Sequence, residues 1–389
     1  MTKKWSSRLT FFAFVVLMVG LGSNDSLRGI FSTIFQEHFS LTTTQLGLIV
    51  TASYIGNLVF LLVGGNLSTR FSKKRVLQVL ILIWMAALAL FAFTSNYTVL
   101  LIGMALALGS STLLNTTMNL ITPLLFATAP GFFVNFLFFT QEIGTSGSQY
   151  ILGSHADGFA FWQHTNLVLL ILGAVAFALL LFCNVPEEAA DPADTPAQKS
   201  GYDWRIIVPY VLVFGFYFIA EHGVMNWMVA YGVDGLGLPQ ASAAKYLSVF
   251  FGGMMIGRLC LSPLVDKLGA LKSLAAFGGV SCVLYLIGSL GGAVTMPVWA
   301  ISGLSFSILY PTLVMSIRLY FPAQQVSGAA GTILSIASLA DILFNVGFGK
   351  LVDMAGYAVS IRVLPLSVLA FFIVFMVFTK FCKPTQKLK

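Results

Sequence analysis

Four carboxylic acids stand inside otherwise apolar stretches of this chain: Asp25, Glu142, Glu221 and Asp341. A charged side chain near the centre of a bilayer costs roughly 2.5–3.5 kcal/mol or more on insertion scales, so each of these should face protein or water. A carboxyl held away from bulk water can take up and give off a proton, which is the chemistry a coupled carrier needs. Asp25 and Arg28 lie three residues apart, on one helical face and close enough to pair. They form either an ion pair that neutralises two costly charges or, with Asn24, a cavity-facing corner that exchanges a proton or a solute hydroxyl. Glu221 either carries a proton or is a carboxyl locked by packing. His222 beside it either titrates near neutrality or is a structural donor. Gln141, Glu142, Thr145 and Gln149 approximate one helical face, a polar stripe suited to a cavity. Asp341, with Asn345 one turn on, lines that cavity or joins two helices.

The neutral polar residues suggest what such a cavity would hold. Asn115 and Asn119 are one turn apart, close to Thr112 and Thr116. Amides both donate and accept, which suits the hydroxyls of a sugar, although bonds between helices would use them equally well. Trp227 either stacks on a ring or anchors at the membrane interface. Asn226, Tyr54, Asn57 and Tyr310 are further candidates. No phosphate-binding glycine loop with its lysine appears, and no metal-ligand spacing. Cys183, Cys260, Cys282 and Cys382 stand singly, without disulfide or metal spacing. The expectation is no cofactor, no metal and no enzyme activity.

The elements that must position these residues are membrane helices. Only 9% of the 389 residues are charged, 58% are hydrophobic and the mean hydropathy is +0.90. A soluble domain carries about 25% charged residues, so this chain cannot cover a water-facing surface. At roughly 20 residues per crossing, its length allows about twelve crossings with short loops. The spans are expected near 9–34, 45–68, 76–94, 98–122, 131–153 and 165–184, then 205–231, 241–264, 271–291, 294–318, 327–350 and 358–381. The segment Pro186–Asp203 (PEEAADPADTPAQKSGYD) is acidic and lacks large apolar residues, as a flexible cytosolic connector would. With the N-terminus inside, all but four of the 21 Lys and Arg fall on or near the cytosolic face; the exceptions are Arg28, Lys245, Lys350 and Arg362. That asymmetry places both termini in the cytoplasm of a multi-pass protein of the cell membrane, and explains the net charge of +7 without nucleic acid. The first apolar run follows Lys3, Lys4 and Arg8 as a signal peptide would. It is long, holds Asp25 and Arg28 and has no clear cleavage site, so it reads as a retained helix.

The chain also repeats itself. A shift of 197 positions lays Thr51–Leu77 on Ser248–Leu274, with Gly56 on Gly253, Leu67 on Leu264, Arg70 on Lys267 and Arg75 on Lys272. The same shift brings Asp25 within one residue of Glu221, and Glu142 within two of Asp341. A duplicated bundle with acids at matching depths is the plan of a secondary transporter.

The loop Gly65–Arg75 (GNLSTRFSKKR) resembles the loop between helices two and three of the major facilitator superfamily, patterned G-x-L-A-D-R-x-G-R-K. Thr69 stands in place of its acid and Ser72 in place of its second glycine. The second copy, Pro263–Lys272 (PLVDKLGALK), keeps Asp266, Lys267 and Gly269. Within that superfamily the chain is similar to the fucose/glucose–proton symporter group. Glu221, Asn226, Trp227, Ser248, Gly257 and Arg258 fit that group's seventh-helix acid, Asn/Trp segment and S-x-F-x-G-G/V-x-x-x-G-R eighth helix. Gly303–Thr312 (GLSFSILYPT) resembles its tenth helix. The Leu-Glu-Thr signature of its fourth helix reads Leu114-Asn115-Thr116 here, an amide in place of the acid.

The resemblance implies an all-α membrane protein of twelve transmembrane helices in two pseudo-symmetric six-helix bundles, 1–184 and 205–389, joined by a linker, 185–204. It also implies a site near mid-membrane between helices one, four and five and helices seven, ten and eleven. The expected function is proton-coupled transport of a small polar solute by alternating access, a hexose fitting the amides. Asp25, Glu142 and Glu221 are the expected proton carriers. Asn24, Asn115, Gln141, Asn226, Trp227 and Asn345 are the expected solute contacts, and Arg70, Arg258, Asp266 and Lys267 the gating and loop residues. The partners expected are the solute, protons and the lipid bilayer, for a monomer. The alternatives are a proton-driven exporter of amphipathic compounds and a non-transporting membrane sensor.

Overall fold

The computed structural model describes residues 3–126, 130–183, 185–186 and 202–384. All elements among the described residues are helical. Each expected span falls on a helix or a helix run. The first six are α1 (Lys3–Ile30), α2 (Thr43–Arg70), α3 (Lys73–Phe93), α4 (Tyr97–Leu125), α5 (Pro130–Ile151) and α6 (Phe159–Phe182). The next are α7 (Trp204–Ala230), α8 (Gln240–Leu268) and α9 (Ala270–Leu290). The tenth span, α10, is a broken run of Met296–Ile301, Gly303–Phe306 and Leu309–Ser316, followed by α11 (Ala323–Ala355) and α12 (Val363–Phe381). Ten of these are long and apolar enough to cross a membrane among the described residues; α2 and α5, at 28 and 22 residues, are of comparable length.

The chain divides into two compact units, Met1–Ala190 and Asp191–Lys389. In the first, α1 packs on α5, α6 and α4, α2 on α4, and α3 on α4 and α6. In the second, α7 packs on α11 and α12, α8 on α10, and α9 on α10 and α12. Advancing each helix number of the first unit by six reproduces the main pairs of the second. The internal repeat of the sequence is thus a repeat of packing. Most of the expected connector, residues 187–201, lies outside the described residues.

Glycines set the closest crossings. A Cβ on Gly22 would overlap the Gln141 carbonyl, and one on Gly144 the Val19 carbonyl, so α1 and α5 run backbone to backbone. Gly56 likewise abuts Ala105 where α2 meets α4. In the second unit Gly303 abuts the Phe250 carbonyl and Gly257 the Ser307 hydroxyl, where α8 meets α10. Small residues of this kind let membrane helices gain dispersion contact that lipid would otherwise supply.

Local signals explain several helix ends. Asn96 accepts from Val99 N at 3.1 Å to start α4, and Asp203 accepts from Arg205 N at 2.9 Å to start α7. Lys74 Nζ donates to the carbonyls of Leu181 (3.1 Å) and Cys183 (2.7 Å), satisfying orphan acceptors at the end of α6. Gly269, at φ 80°, makes the break between α8 and α9. The structure departs from expectation at two places. The first span ends at Ile30, and a separate short helix, Ser32–His38, follows it. The tenth span is interrupted. Ser302, Ser305, Ser307 and Ser316 each turn their hydroxyls back onto the carbonyl three residues earlier, at 2.5–2.9 Å, and such back-bonding competes with the helical ladder.

Candidate functional site

In the first unit the polar residues of three helices join. On α4, Ser111, Asn115 and Asn119 recur every fourth residue and share a face. Ser111 Oγ donates to Asp25 Oδ2 on α1 at 3.3 Å. The other carboxylate oxygen takes a long bond, 3.5 Å, from Asn24 Nδ2. One turn on, Asn115 Nδ2 donates to Gln141 Oε1 on α5 at 2.6 Å, and Asn119 Nδ2 donates to Asn115 Oδ1 at 2.6 Å. This amide chain runs one way. It leaves Gln141 Nε2 as the donor end and Asn119 Oδ1, buried and without a partner among the described residues, as the acceptor end. A hydroxyl, which donates and accepts at once, can insert anywhere along it. Gly22 makes the seam possible. Its missing side chain lets α5 approach until Thr145 Oγ1 bonds the Gly22 carbonyl at 3.2 Å.

Arg28, one turn beyond Asp25, is 5% exposed, and its guanidinium lies over the Tyr54 ring of α2 at 5.6 Å. Glu142 is half-buried on α5 beside Gln141. Gln149, on the polar stripe read from the sequence, is fully buried.

In the second unit Glu221 is half-buried on α7, among tyrosines from three helices. Tyr217 of α7, Tyr285 of α9 and Tyr310 of α10 lie near it, and Arg258 of α8 lies near Tyr217 and Tyr310. Tyr285 Oη donates to the Ala220 carbonyl at 3.1 Å, which ties α9 to the backbone next to the acid. The Tyr217 and Tyr310 rings stand 5.9 Å apart, and His222 stacks on Phe218 at 5.4 Å. Trp227 is fully buried. Its Nε1 donates to Asn345 Oδ1 on α11 at 2.9 Å, and its ring packs on Phe348 at 4.9 Å. Asn226 and Asn345 are buried as well.

The structure therefore brings Asn24, Asp25, Asn115 and Gln141 into one seam and sets Trp227 on Asn345. Lys267 is exposed near the end of α8. The side chains of Arg70, Asp266 and Asp341 lie outside the described residues. Sequence reasoning missed Ser111, Tyr217 and Tyr285. The four-residue spacing of Ser111 from Asn115 was the available signal; the tyrosines gave none in a chain so rich in aromatics.

Residues 10–343 match the sequence model of the Major Facilitator Superfamily. The chain belongs to the major facilitator superfamily. Members of that family are transporters, so this is a multi-pass membrane transporter of small solutes. A glucose/galactose transporter from Brucella abortus is 27% identical over 82% of this chain and 81% of its own. A cis,cis-muconate transport protein from Acinetobacter baylyi is 25% identical over 71% of this chain and 70% of its own. The solved structure of a fucose:proton symporter from E. coli superposes with a TM-score of 0.65 at 20% identity, covering 98% of this chain and 99% of that one. The similarity to the fucose/glucose–proton symporter group is borne out by these relatives, and the shared fold by the superposition.

Proposed function

We propose that this superfamily member is a proton-coupled secondary transporter that carries a small hydroxylated solute of the hexose class by alternating access. The observation that carries this reading is the seam of the first unit: a carboxylate bonded by Ser111, continuous along α4 with a directional chain of amides. A hydroxylated solute would exchange its own bonds for those of Asn115 and Gln141, at little net cost because donors and acceptors are conserved in number. Asp25 accepts at both oxygens, and taking up a proton there weakens those bonds and adds an O–H donor that needs an acceptor of its own. Glu221, inside its tyrosine shell, is the corresponding proton carrier of the second unit, and Glu142 a third candidate. Two of the three relatives named above are, by name, carriers of neutral sugars; the third carries a dicarboxylate. We place both termini in the cytoplasm, from the distribution of Lys and Arg, and the protein in the cell membrane as a monomer.

The test is purified protein in liposomes that hold a pH dye, challenged with hexoses, deoxysugars, amino acids and cationic drugs. Proton entry on adding one sugar supports symport and narrows the solute in one step. Silence toward sugars with drug-driven proton counterflow would replace this reading with export.

A further inference from the structure

Arg28 is the unexplained charge of the first unit. The other Lys and Arg of residues 1–190 fall at positions 3–8 and 70–75, whereas Arg28 stands in the last turn of α1 with apolar sequence on both sides, and it is buried. It is 5% exposed, and its Nε is buried with no hydrogen-bond partner among the described residues. The Tyr54 ring beneath it offers an aromatic face and no hydrogen-bond acceptor to Nε. A buried guanidinium is stable when its planar fork is met by a matching pair of oxygens, and costly when it is not.

Two other groups nearby are also incomplete. Asn57, one turn from Tyr54 on α2, has a buried Oδ1 without a partner among the described residues. Gln149 of α5 is fully buried, and neither its Oε1 nor its Nε2 has a partner among the described residues. Thr145 bonds the Gly22 carbonyl, so Gln149, one turn past Thr145, stands at the level of Ser26, close in depth to Arg28. Native interiors rarely leave so many polar groups unmet unless something else completes them.

We propose that Arg28 is the recognition residue for a carboxylate on the solute, and that within the hexose class the transported solute is a sugar acid, such as a uronate or an aldonate. This rests on the transport function proposed above and names the substrate class of the same seam. The spacing agrees. Gly22 abuts Gln141, and Arg28 follows it by 28 − 22 = 6 residues. At about 1.5 Å per residue that is roughly 9 Å along the helix axis, room for a six-carbon acid bonded at one end by the guanidinium and at the other by amides. One guanidinium, the single Lys or Arg between Arg8 and Arg70, matches a singly charged carboxylate better than a dianionic phosphate. Its fork takes two carboxylate oxygens at once, and the acceptors at Asn57 and Gln149 suit hydroxyl groups.

The experiment uses the full chain in liposomes with a pH dye, with D-glucuronate, D-gluconate, D-glucose and glucose 6-phosphate as probes. Proton entry with glucuronate or gluconate at concentrations at least about tenfold lower than for glucose supports the assignment. Binding of glucuronate to detergent-solubilised protein, followed by its thermal shift, is then measured in Arg28→Gln and Arg28→Lys. The shift is expected to vanish in R28Q and to persist in part in R28K, which keeps the charge but loses the fork. R28K also guards against the case in which R28Q does not fold. Equal response to glucose and glucuronate, a response confined to the phosphate, or a full glucuronate shift in R28Q each overturns the carboxylate assignment while leaving proton-coupled transport in place. A protein silent to all sugars and acids overturns the proposed uptake of a hydroxylated solute itself.

Discussion

Gly56 and Gly253, 197 positions apart, occupy equivalent helix crossings: Gly56 where α2 meets α4 at Ala105, Gly253 where α8 meets α10 at Leu304. The equivalence is not equal tightness. A Cβ on Gly56 would run into the Ala105 backbone, whereas one on Gly253 would stand 3.0 Å from Leu304 N, because in the second unit Gly303 provides the closer approach. Gly56→Val should therefore cost about 1–3 kcal/mol through overpacking, and Gly253→Val distinctly less. Melting temperatures in detergent decide it. If G56V melts like the parent protein, α2 and α4 do not meet at Ala105.

The spans and the doubling were legible because the bilayer imposes length and apolarity on every crossing, whatever the side chains do afterward. The acids were legible for the complementary reason: Asp25 and Glu221 are too costly in lipid to be incidental. Partnership was not legible. Trp227 and Asn345 are 118 residues apart, and nothing local marks one as the other's acceptor. Tyr217 and Tyr285 look like packing until the fold brings them to Glu221. The break in α10 was written in Ser302, Ser305 and Ser307, but serine in a membrane helix bonds its own backbone with or without a break, so composition alone does not separate the two.

Trp227 admits a sharp test between its two roles. Trp227→Phe keeps most of the apolar volume and removes the 2.9 Å bond to Asn345. If the residue packs the α7–α11 interface, the protein should lose about 1–3 kcal/mol while the KM for solute stays put. A raised KM in a protein of unchanged melting temperature would assign the ring to the solute instead.

Asn115 is the middle link of the amide chain, donating to Gln141 and accepting from Asn119. Asn115→Ala removes both bonds together. The expected result is a rise in KM of about tenfold, near 1.4 kcal/mol, with insertion and folding retained, since α4 keeps its helix and its crossing at Ala105. Uptake kinetics in liposomes measure this. An unchanged KM would mean that the chain holds helices together and does not touch solute.

Glu221→Gln separates proton coupling from binding. Glutamine has nearly the shape and volume of the acid, so the second unit should fold as before. It cannot take up or release a proton. A carrier whose proton rides on Glu221 should lose accumulation against a gradient, yet still exchange solute for solute across the membrane, because exchange requires the solute cycle and not the proton cycle. Counterflow of labelled solute, measured beside pH-driven uptake in the same liposomes, distinguishes the two. Loss of uptake with counterflow intact assigns the proton to Glu221. Accumulation at the parent level would remove Glu221 from the coupling path and move the proton to the first unit. The decisive variant would then be Asp25→Asn, whose carboxyl already accepts from Ser111 and Asn24.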